Sequence, residues 1–302
     1  MKALITGILG FVGRHLATEL KANHYSVDGL DIAEGVDSAR VDLLDSRAVR
    51  EHIALTEPDM IFHLAAQADV GRSWAIPQKT YELNVVAAIN LLEAVLAERP
   101  SCRIVMIGSS DQYGVTGPVG PIAETMELNP QNPYAASKKA QEEISSIYAK
   151  AHSLDVCLTR SFNHSGPGQK PGFLIPDLCQ GIIGVERGEA EHLKIGNMEA
   201  IRDFTDVRDV VRAYRLIGEK GQAGETYNVG SGIGRKVQDL LDMLLKTASC
   251  EVRVRQDESR MRKSDTPVFV CDNTKLRTHT GWAPSIPIEQ TLQDTLAYYR
   301  AL

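Results

Sequence analysis

Short apolar runs alternate with amphipathic stretches along most of this chain. Residues 2–6 are apolar enough for a buried parallel strand, and residues 14–22 carry the spacing of an amphipathic helix. A second strand is expected at 26–30, a short one at 40–41, a helix at 44–56 and a strand at 60–63 that runs into Leu64-Ala65-Ala66. A long helix follows at 79–98, then strands at 103–108 and 156–160. Between those strands, Asn132 suits a helix N-cap, Pro133 suits the first helical position, and a helix should run over 134–152. Gly232 and Gly234 precede another helix at 237–247. Strands alternating with helices predict an α/β fold with a doubly wound parallel sheet.

In such a sheet, ligands sit outside the C-terminal ends of the strands. Asp31, Asp42, Leu64-Ala65-Ala66, Ser109-Ser110 and Asn163-His164 all fall at such ends. The first strand runs into Gly-Ile-Leu-Gly-Phe-Val-Gly at 7–13, with Gly7, Gly10 and Gly13 three residues apart. Glycine lets the backbone turn tightly and lets a diphosphate approach the N-terminus of the next helix. The same residues would also serve an unliganded turn, so the acid that follows matters. Asp31 stands roughly 20 residues past the glycines, where a carboxylate binds both adenosine ribose hydroxyls and repels a 2′-phosphate. No arginine follows it directly, which favours NAD(H) over NADP(H).

Composition narrows the class only a little. The 302 residues allow one large or two smaller domains. A net charge of -6 weighs against nonspecific nucleic-acid binding. The five cysteines are scattered without a C-x-x-C pair, as in a reduced cytoplasmic protein, and no cysteine–histidine cluster suggests a metal. No apolar run is expected to span a bilayer, and the N-terminus lacks the pattern of a signal peptide.

Tyr134 and Lys138 are four residues apart on one expected helix face. An ammonium beside a phenol should lower the phenol's pKa and make it a proton donor and acceptor near neutral pH. The spacing alone would equally describe a surface pair.

Together these residues resemble the extended short-chain dehydrogenase/reductases, the NAD-dependent epimerase/dehydratase family. The carriers are Thr-Gly-Ile-Leu-Gly-Phe-Val-Gly at 6–13, Asp42-Leu43, His-Leu-Ala-Ala-Gln at 63–67, Ser-Ser-Asp-Gln-Tyr-Gly at 109–114, Tyr134 with Lys138, and Arg-Ser-Phe-Asn-His-Ser-Gly-Pro-Gly at 160–168. The resemblance implies a Rossmann-type sheet and an oxidoreductase. Gly7, Gly10, Phe11, Val12, Gly13 and Asp31 would bind the dinucleotide. Asp42 and Leu43 would flank the adenine, and Leu64, Ala65, Ala66, Gln67 and Tyr81 would line the cofactor path. His164 would lie near the nicotinamide. Ser109 takes the catalytic hydroxyl position beside Tyr134 and Lys138, with Ser110 as its near neighbour. The resemblance also implies a homodimer in which helices 79–98 and 134–152 form a four-helix bundle.

The second half looks most like the GDP-4-keto-6-deoxy-mannose reductases, relatives of the GDP-mannose 4,6-dehydratases. It does so through residues 161–164, 196–209, 227–232 and 262–267. That implies a GDP-linked sugar nucleotide. Arg202 and Arg262 become candidates for its diphosphate, because a guanidinium fork donates paired hydrogen bonds. Asp265 could accept from ribose hydroxyls, and Asn163 could donate to phosphate. Taken alone, Arg202 could instead pair with Asp203 or Asp206. The resemblance assigns residues 1–164 with about 205–230 to the cofactor domain. A smaller discontinuous substrate domain would take about 165–204, 231–266 and 280–302.

A dehydratase must eliminate water across C5 and C6, using an acid pair after the catalytic hydroxyl. Here the run is Ser109-Ser110-Asp111, with one carboxylate that is a methylene shorter than glutamate. Reduction of the C4 ketone, with GDP-D-rhamnose as product, is therefore the favoured reading. Dehydratase, 4-epimerase and non-catalytic dinucleotide sensor are the alternatives.

Overall fold

The computed structural model describes residues 1–114, 120–257 and 266–302. The chain begins β1 (Lys2–Thr6), α1 (Phe11–Ala22), β2 (Ser26–Asp31), β3 (Ser38–Arg40), α2 (Ser46–Thr56) and β4 (Met60–His63). It continues α3 (Val70–Ala75), α4 (Pro77–Tyr81), a π turn (Glu82–Val86), α5 (Ala87–Glu98), β5 (Arg103–Ser109), a 3-10 turn (Ser110–Tyr113) and α6 (Pro133–His152). Then come β6 (Val156–Ser161), β7 (Asn163–Ser165), α7 (Leu174–Glu186), β8 (Leu193–Ile195), β9 (Ile201–Asp206) and α8 (Val207–Lys220). The last elements are β10 (Thr226–Val229), β11 (Gly234–Lys236), α9 (Val237–Leu245), β12 (Val254–Gln256), β13 (Val268–Phe269), α10 (Thr274–Thr280) and α11 (Ile288–Arg300).

Seven parallel strands form the main sheet in the order β10-β6-β5-β4-β1-β2-β3. The strand order reverses between β1 and β4, which opens a crevice at their C-terminal ends. Apolar side chains of α1 and α8, with Leu276 of α10, fill one face, including Leu16, Val210 and Ile217. Those of α2 and α5 fill the other, including Val49, Ile53, Leu91 and Val95. A third core joins α7, α9 and α11 through residues such as Ile182, Leu240 and Leu292. Beside it, β9 is flanked by β11 and β13, and β7 also pairs with β9.

Several expected boundaries move. The third strand lies at Ser38–Arg40 rather than at 40–41, paired with Gly29–Asp31 of β2. α2 starts at Ser46 because Asp45 caps it, accepting from the Ala48 amide at 3.0 Å. The long helix starts at Pro77 and is broken by the π turn. By length and composition Pro77–Glu98 could cross a membrane, contrary to the sequence expectation. Its Ala87, Ala88, Leu91, Leu92 and Val95 are nevertheless buried in the core beneath the sheet.

Candidate active site

The glycine turn is wedged between the ends of β2 and β4. Gly7 has φ +74, and a Cβ there would stand 3.0 Å from the Ala65 backbone. At Gly13 a Cβ would stand 2.3 Å from the Gly7 carbonyl oxygen, so α1 packs against its own turn only without a side chain. Gly7 donates its amide to Leu30 O at 2.7 Å. The Asp31 carboxylate accepts from the Leu9 amide at 3.1 Å and from the Ile32 amide at 2.8 Å. Asp31 is thus fixed at the lip of the turn. The α1 N-cap is Gly10, with no side-chain cap, so the first amides of the helix face the crevice without an internal competitor. A turn closed to side chains, next to a fixed carboxylate, fits a dinucleotide.

The remaining cofactor candidates are placed unevenly. Asp42 is exposed and accepts from the Leu44 amide, whereas Leu43 is turned into the core. Leu64, Ala65 and Ala66 are partly exposed after β4. Gln67 spends its side chain inside the loop. Its Nε2 donates to Asp69 O at 2.9 Å, its Oε1 accepts from the Asp69 amide, and its own amide donates to Asn84 Oδ1 at 2.7 Å. Tyr81 is 40% exposed at the end of α4. Phe11 stacks on His164, with ring centroids 6.3 Å apart. The His164 Nδ1 engages Phe162 O, and burial lowers its pKa below the usual imidazole value.

Ser109 ends β5 and caps the 3-10 turn, its Oγ accepting from the Asp111 amide at 3.2 Å. Gln112 completes the cap: its Oε1 accepts from the Ser109 amide at 2.9 Å and its Nε2 donates to Glu142 Oε2 at 2.7 Å. Glu142 in turn receives the Arg160 guanidinium at 2.5 and 3.0 Å, while Arg160 also donates to Tyr113 OH and Glu124 O. Sequence reasoning missed Gln112, Glu142 and the role of Arg160. The available signal was a charged residue inside an otherwise buried strand, because a buried arginine needs a partner.

α6 begins as expected: Asn132 Oδ1 accepts from the Ala135 amide at 2.8 Å, and Pro133 takes the first position. Tyr134 is buried, with Ser109 and Asp111 close enough to act on its phenol. Lys138 is 3% exposed. Its ammonium donates to Ile107 O and to Gln141 Oε1, each at 2.8 Å. The expected lowering of the phenol pKa is therefore not what this arrangement produces. Burial, then the Asp111 charge, raise the Tyr134 pKa well above the usual phenol value, and the neighbouring Ser109 hydroxyl only partly offsets them. Burial also pulls Lys138 down to about 7. Desolvation disfavours the charged form of both groups, and the ammonium is directed at a carbonyl and an amide oxygen.

Ser110 is buried, whereas Asn163 is exposed on β7. Arg202 lies on β9 and donates to Ile201 O at 2.8 Å. Its suggested acidic neighbours have other partners. Asp203 accepts from the Ser231 and Gly232 amides at 2.9 and 2.8 Å, and Asp206 binds Arg208 and Thr291. Arg262 and Asp265 lie outside the described residues. The fold thus joins Ser109, Asp111, Tyr134 and Lys138 beside the glycine crevice.

A family model described as GDP-mannose 4,6 dehydratase matches residues 4–295. The chain is 35% identical to the GDP-6-deoxy-D-mannose reductase of Pseudomonas aeruginosa, over 98% of this chain and 96% of that protein. Among solved structures, it is similar to RMD from Pseudomonas aeruginosa complexed with NADPH. That match has a TM-score of 0.91 and 34% identity, with 99% of each chain covered. The UDP-glucose 4-epimerase of Thermus thermophilus in complex with NAD matches at a TM-score of 0.89 and 27% identity, again over 99% of each chain.

Proposed function

This chain belongs to the GDP-mannose 4,6 dehydratase family of extended short-chain dehydrogenase/reductases, and we propose that it reduces the C4 ketone of a GDP-4-keto-6-deoxy-hexose, with GDP-D-rhamnose as product. The observation that carries the reading is the convergence of Ser109, Tyr134 and Lys138 beside a dinucleotide-type crevice: Lys138 Nζ donates to Ile107 O two residues before Ser109, and Ser109 and Asp111 both act on the buried Tyr134 phenol. When bound, a reduced nicotinamide dinucleotide supplies the hydride to C4. Ser109 and Tyr134 then hold the oxygen whose charge develops. The raised pKa of Tyr134 keeps the phenol protonated at neutral pH, ready for a far more basic alkoxide. Lys138 holds the cofactor ribose and, as an ammonium, favours the phenolate left behind.

Gly7, Gly10, Phe11, Val12, Gly13 and Asp31 would hold the dinucleotide, with the 64–66 backbone and His164 along its path. The fixed Asp31 carboxylate supports NAD(H) over NADP(H). Arg202, Arg262, Asp265, Asn163 and Ser110 are assigned to the GDP-sugar. Residues 1–164 with about 205–230 form the cofactor domain in this reading, and the α7, α9 and α11 core belongs to the substrate domain. Val86 and Ile147, exposed on the two long helices, support a homodimer through a four-helix bundle in a cytoplasmic enzyme.

Incubation with GDP-4-keto-6-deoxy-mannose and NADH, then with NADPH, tests the proposal. Cofactor oxidation should occur, faster with NADH, and product NMR should show a new C4 hydroxyl. Asp111, close enough to Tyr134 to raise its pKa, favours a second reading as a 4,6-dehydratase. Loss of water from GDP-mannose without net cofactor consumption would establish that reading and overturn the first.

A further inference from the structure

The core-facing positions of α6 are mostly polar: Tyr134, Ser137, Lys138, Gln141 and Ser145 are all buried there. A helix on a sheet normally lays an apolar stripe on the core. Two of these polar groups are satisfied in obvious ways. Ser137 donates to Tyr134 O and accepts from Asn84 Nδ2, and Ser145 donates to Gln141 O. Gln141 differs. It is 1% exposed, its Oε1 accepts from Lys138 Nζ, and its Nε2 is buried with no hydrogen-bond partner among the described residues. The orientation is forced, because an ammonium donates three hydrogen bonds and accepts none. A buried amide nitrogen without a partner destabilises the fold, and an apolar side chain at 141 would avoid that penalty. The contact that offsets it is the one to Lys138.

We propose that Gln141 is a positioning residue that clamps Lys138 Nζ against Ile107 O and favours its charged form, so that Gln141 sets the pH range in which the lysine can hold the cofactor ribose. The inference rests on the cofactor reading given above. A hydrogen bond accepted from the charged form raises a lysine's pKa. Removing it must lower that pKa, and replacing the amide by a carboxylate must raise it. Among the described residues, few titratable groups surround Lys138. His63 of β4 lies on the same side of the sheet as α6, and burial holds it at about 3, neutral throughout the useful range. Tyr134 stands one turn back on α6, Asp111 of the 3-10 turn faces that phenol, and the Glu142–Arg160 pair starts one residue past Gln141. Lys138 itself lies near 7, where a moderate change in its surroundings alters its charge at neutral pH.

The test follows the side-chain carbon resonance of Lys138, assigned by its loss in Lys138→Met, through a pH titration of the cofactor-free chain. Gln141→Leu should move the midpoint down by about one pH unit, a tenfold change in ionisation. Gln141→Glu should move it up. Reduced-cofactor binding, followed by nicotinamide fluorescence, should weaken about fivefold at neutral pH in Gln141→Leu, as the charged fraction of Lys138 falls from about one half to about one eleventh, and recover in Gln141→Glu. The proposal is overturned if Gln141→Leu titrates as wild type, or if both variants shift the midpoint in the same direction, which is what general loosening of α6 would give. Should Gln141→Leu fail to fold, Gln141→Glu against wild type still decides through the sign of its shift. The titration needs neither cofactor nor sugar. If the variants shift as expected while the wild-type chain turns over no keto-sugar nucleotide, only the reductase reading falls.

Discussion

Glu142→Leu should be among the most destabilising single changes in the chain. Glu142 takes both arms of the Arg160 guanidinium and the Gln112 amide, and the Arg160 and Glu142 side chains are 8% and 12% exposed. Removing the carboxylate leaves a buried cation without its counter-charge, which costs about 3–5 kcal/mol. It also strands Gln112 Nε2, for roughly 1 kcal/mol more. The partners that remain to Arg160 are the Tyr113 hydroxyl, the Glu124 carbonyl and the face of the Tyr113 ring at 5.0 Å. They are dipoles and limit the loss without cancelling it. The sum, roughly 4–6 kcal/mol, would take a large share of a typical domain's 5–15 kcal/mol. The assay is urea unfolding of wild type, Glu142→Leu, Arg160→Met and the double variant. Because an apolar pair can replace a buried ion pair at little cost, the double variant should recover most of the loss. Additive single losses, or a Glu142→Leu loss below about 1 kcal/mol, would refute the reasoning.

Tyr134→Phe should lower turnover by roughly 10²–10⁴-fold while leaving reduced-cofactor binding nearly intact, as read by steady-state kinetics and fluorescence titration. Gly13→Ala places a methyl 2.3 Å from the Gly7 carbonyl, so it should abolish dinucleotide binding and lower the melting temperature; wild-type binding would contradict the turn geometry. Asp31→Asn removes the charge that repels a 2′-phosphate, and the ratio of NADPH to NADH specificity constants should rise. His63 is held at about 3, below its ordinary 6.5, so the unfolded chain binds a proton that the folded chain refuses between those values. Its contribution to stability is complete above 6.5 and is lost as pH falls towards 3, at about 1.4 kcal/mol per pH unit. Urea unfolding midpoints should therefore fall less steeply as pH drops from 6.5 towards 3 in His63→Leu.

Most of the central sheet was legible because β1, β2, β4, β5 and β6 are short apolar runs, whereas β3 is Ser-Ala-Arg with no apolar signal and β10 is four residues long, so the first was misplaced and the second went unread. Gly7, Gly10 and Gly13 fixed where the first crossover begins. Asn132 and Pro133 announced α6 down to its cap. What escaped depends on three-dimensional packing. A four-residue spacing puts Tyr134 and Lys138 on one face, yet the ammonium bonds to Ile107 and Gln141, since the carbonyl end of β5 lies within its reach. The burial of Leu43 in the core, beside an exposed Asp42, was likewise not read from the motif. Gln112 and Glu142 look like ordinary polar helix residues until Arg160 is seen inside the sheet.

The π turn at Glu82–Val86 carries Asn84, which grips the Gln67 amide and carbonyl and the Ser137 hydroxyl at 2.7, 3.0 and 2.9 Å. Such a turn is a regular helix holding one surplus residue. The buried faces before and after it, Thr80 in α4 and Ala87, Ala88, Leu91, Leu92 and Val95 in α5, are therefore out of phase in sequence. A helical wheel drawn straight through 77–98 misplaces one of the two halves. Loss of one residue from this turn would restore ordinary winding and leave both buried faces on the core, sacrificing only the Asn84 grip. Loss of one residue inside α5 would instead swing Leu91, Leu92 and Val95 by about 100° away from the sheet. The chain's tolerance of length change in this helix is thus confined to the five residues of the turn.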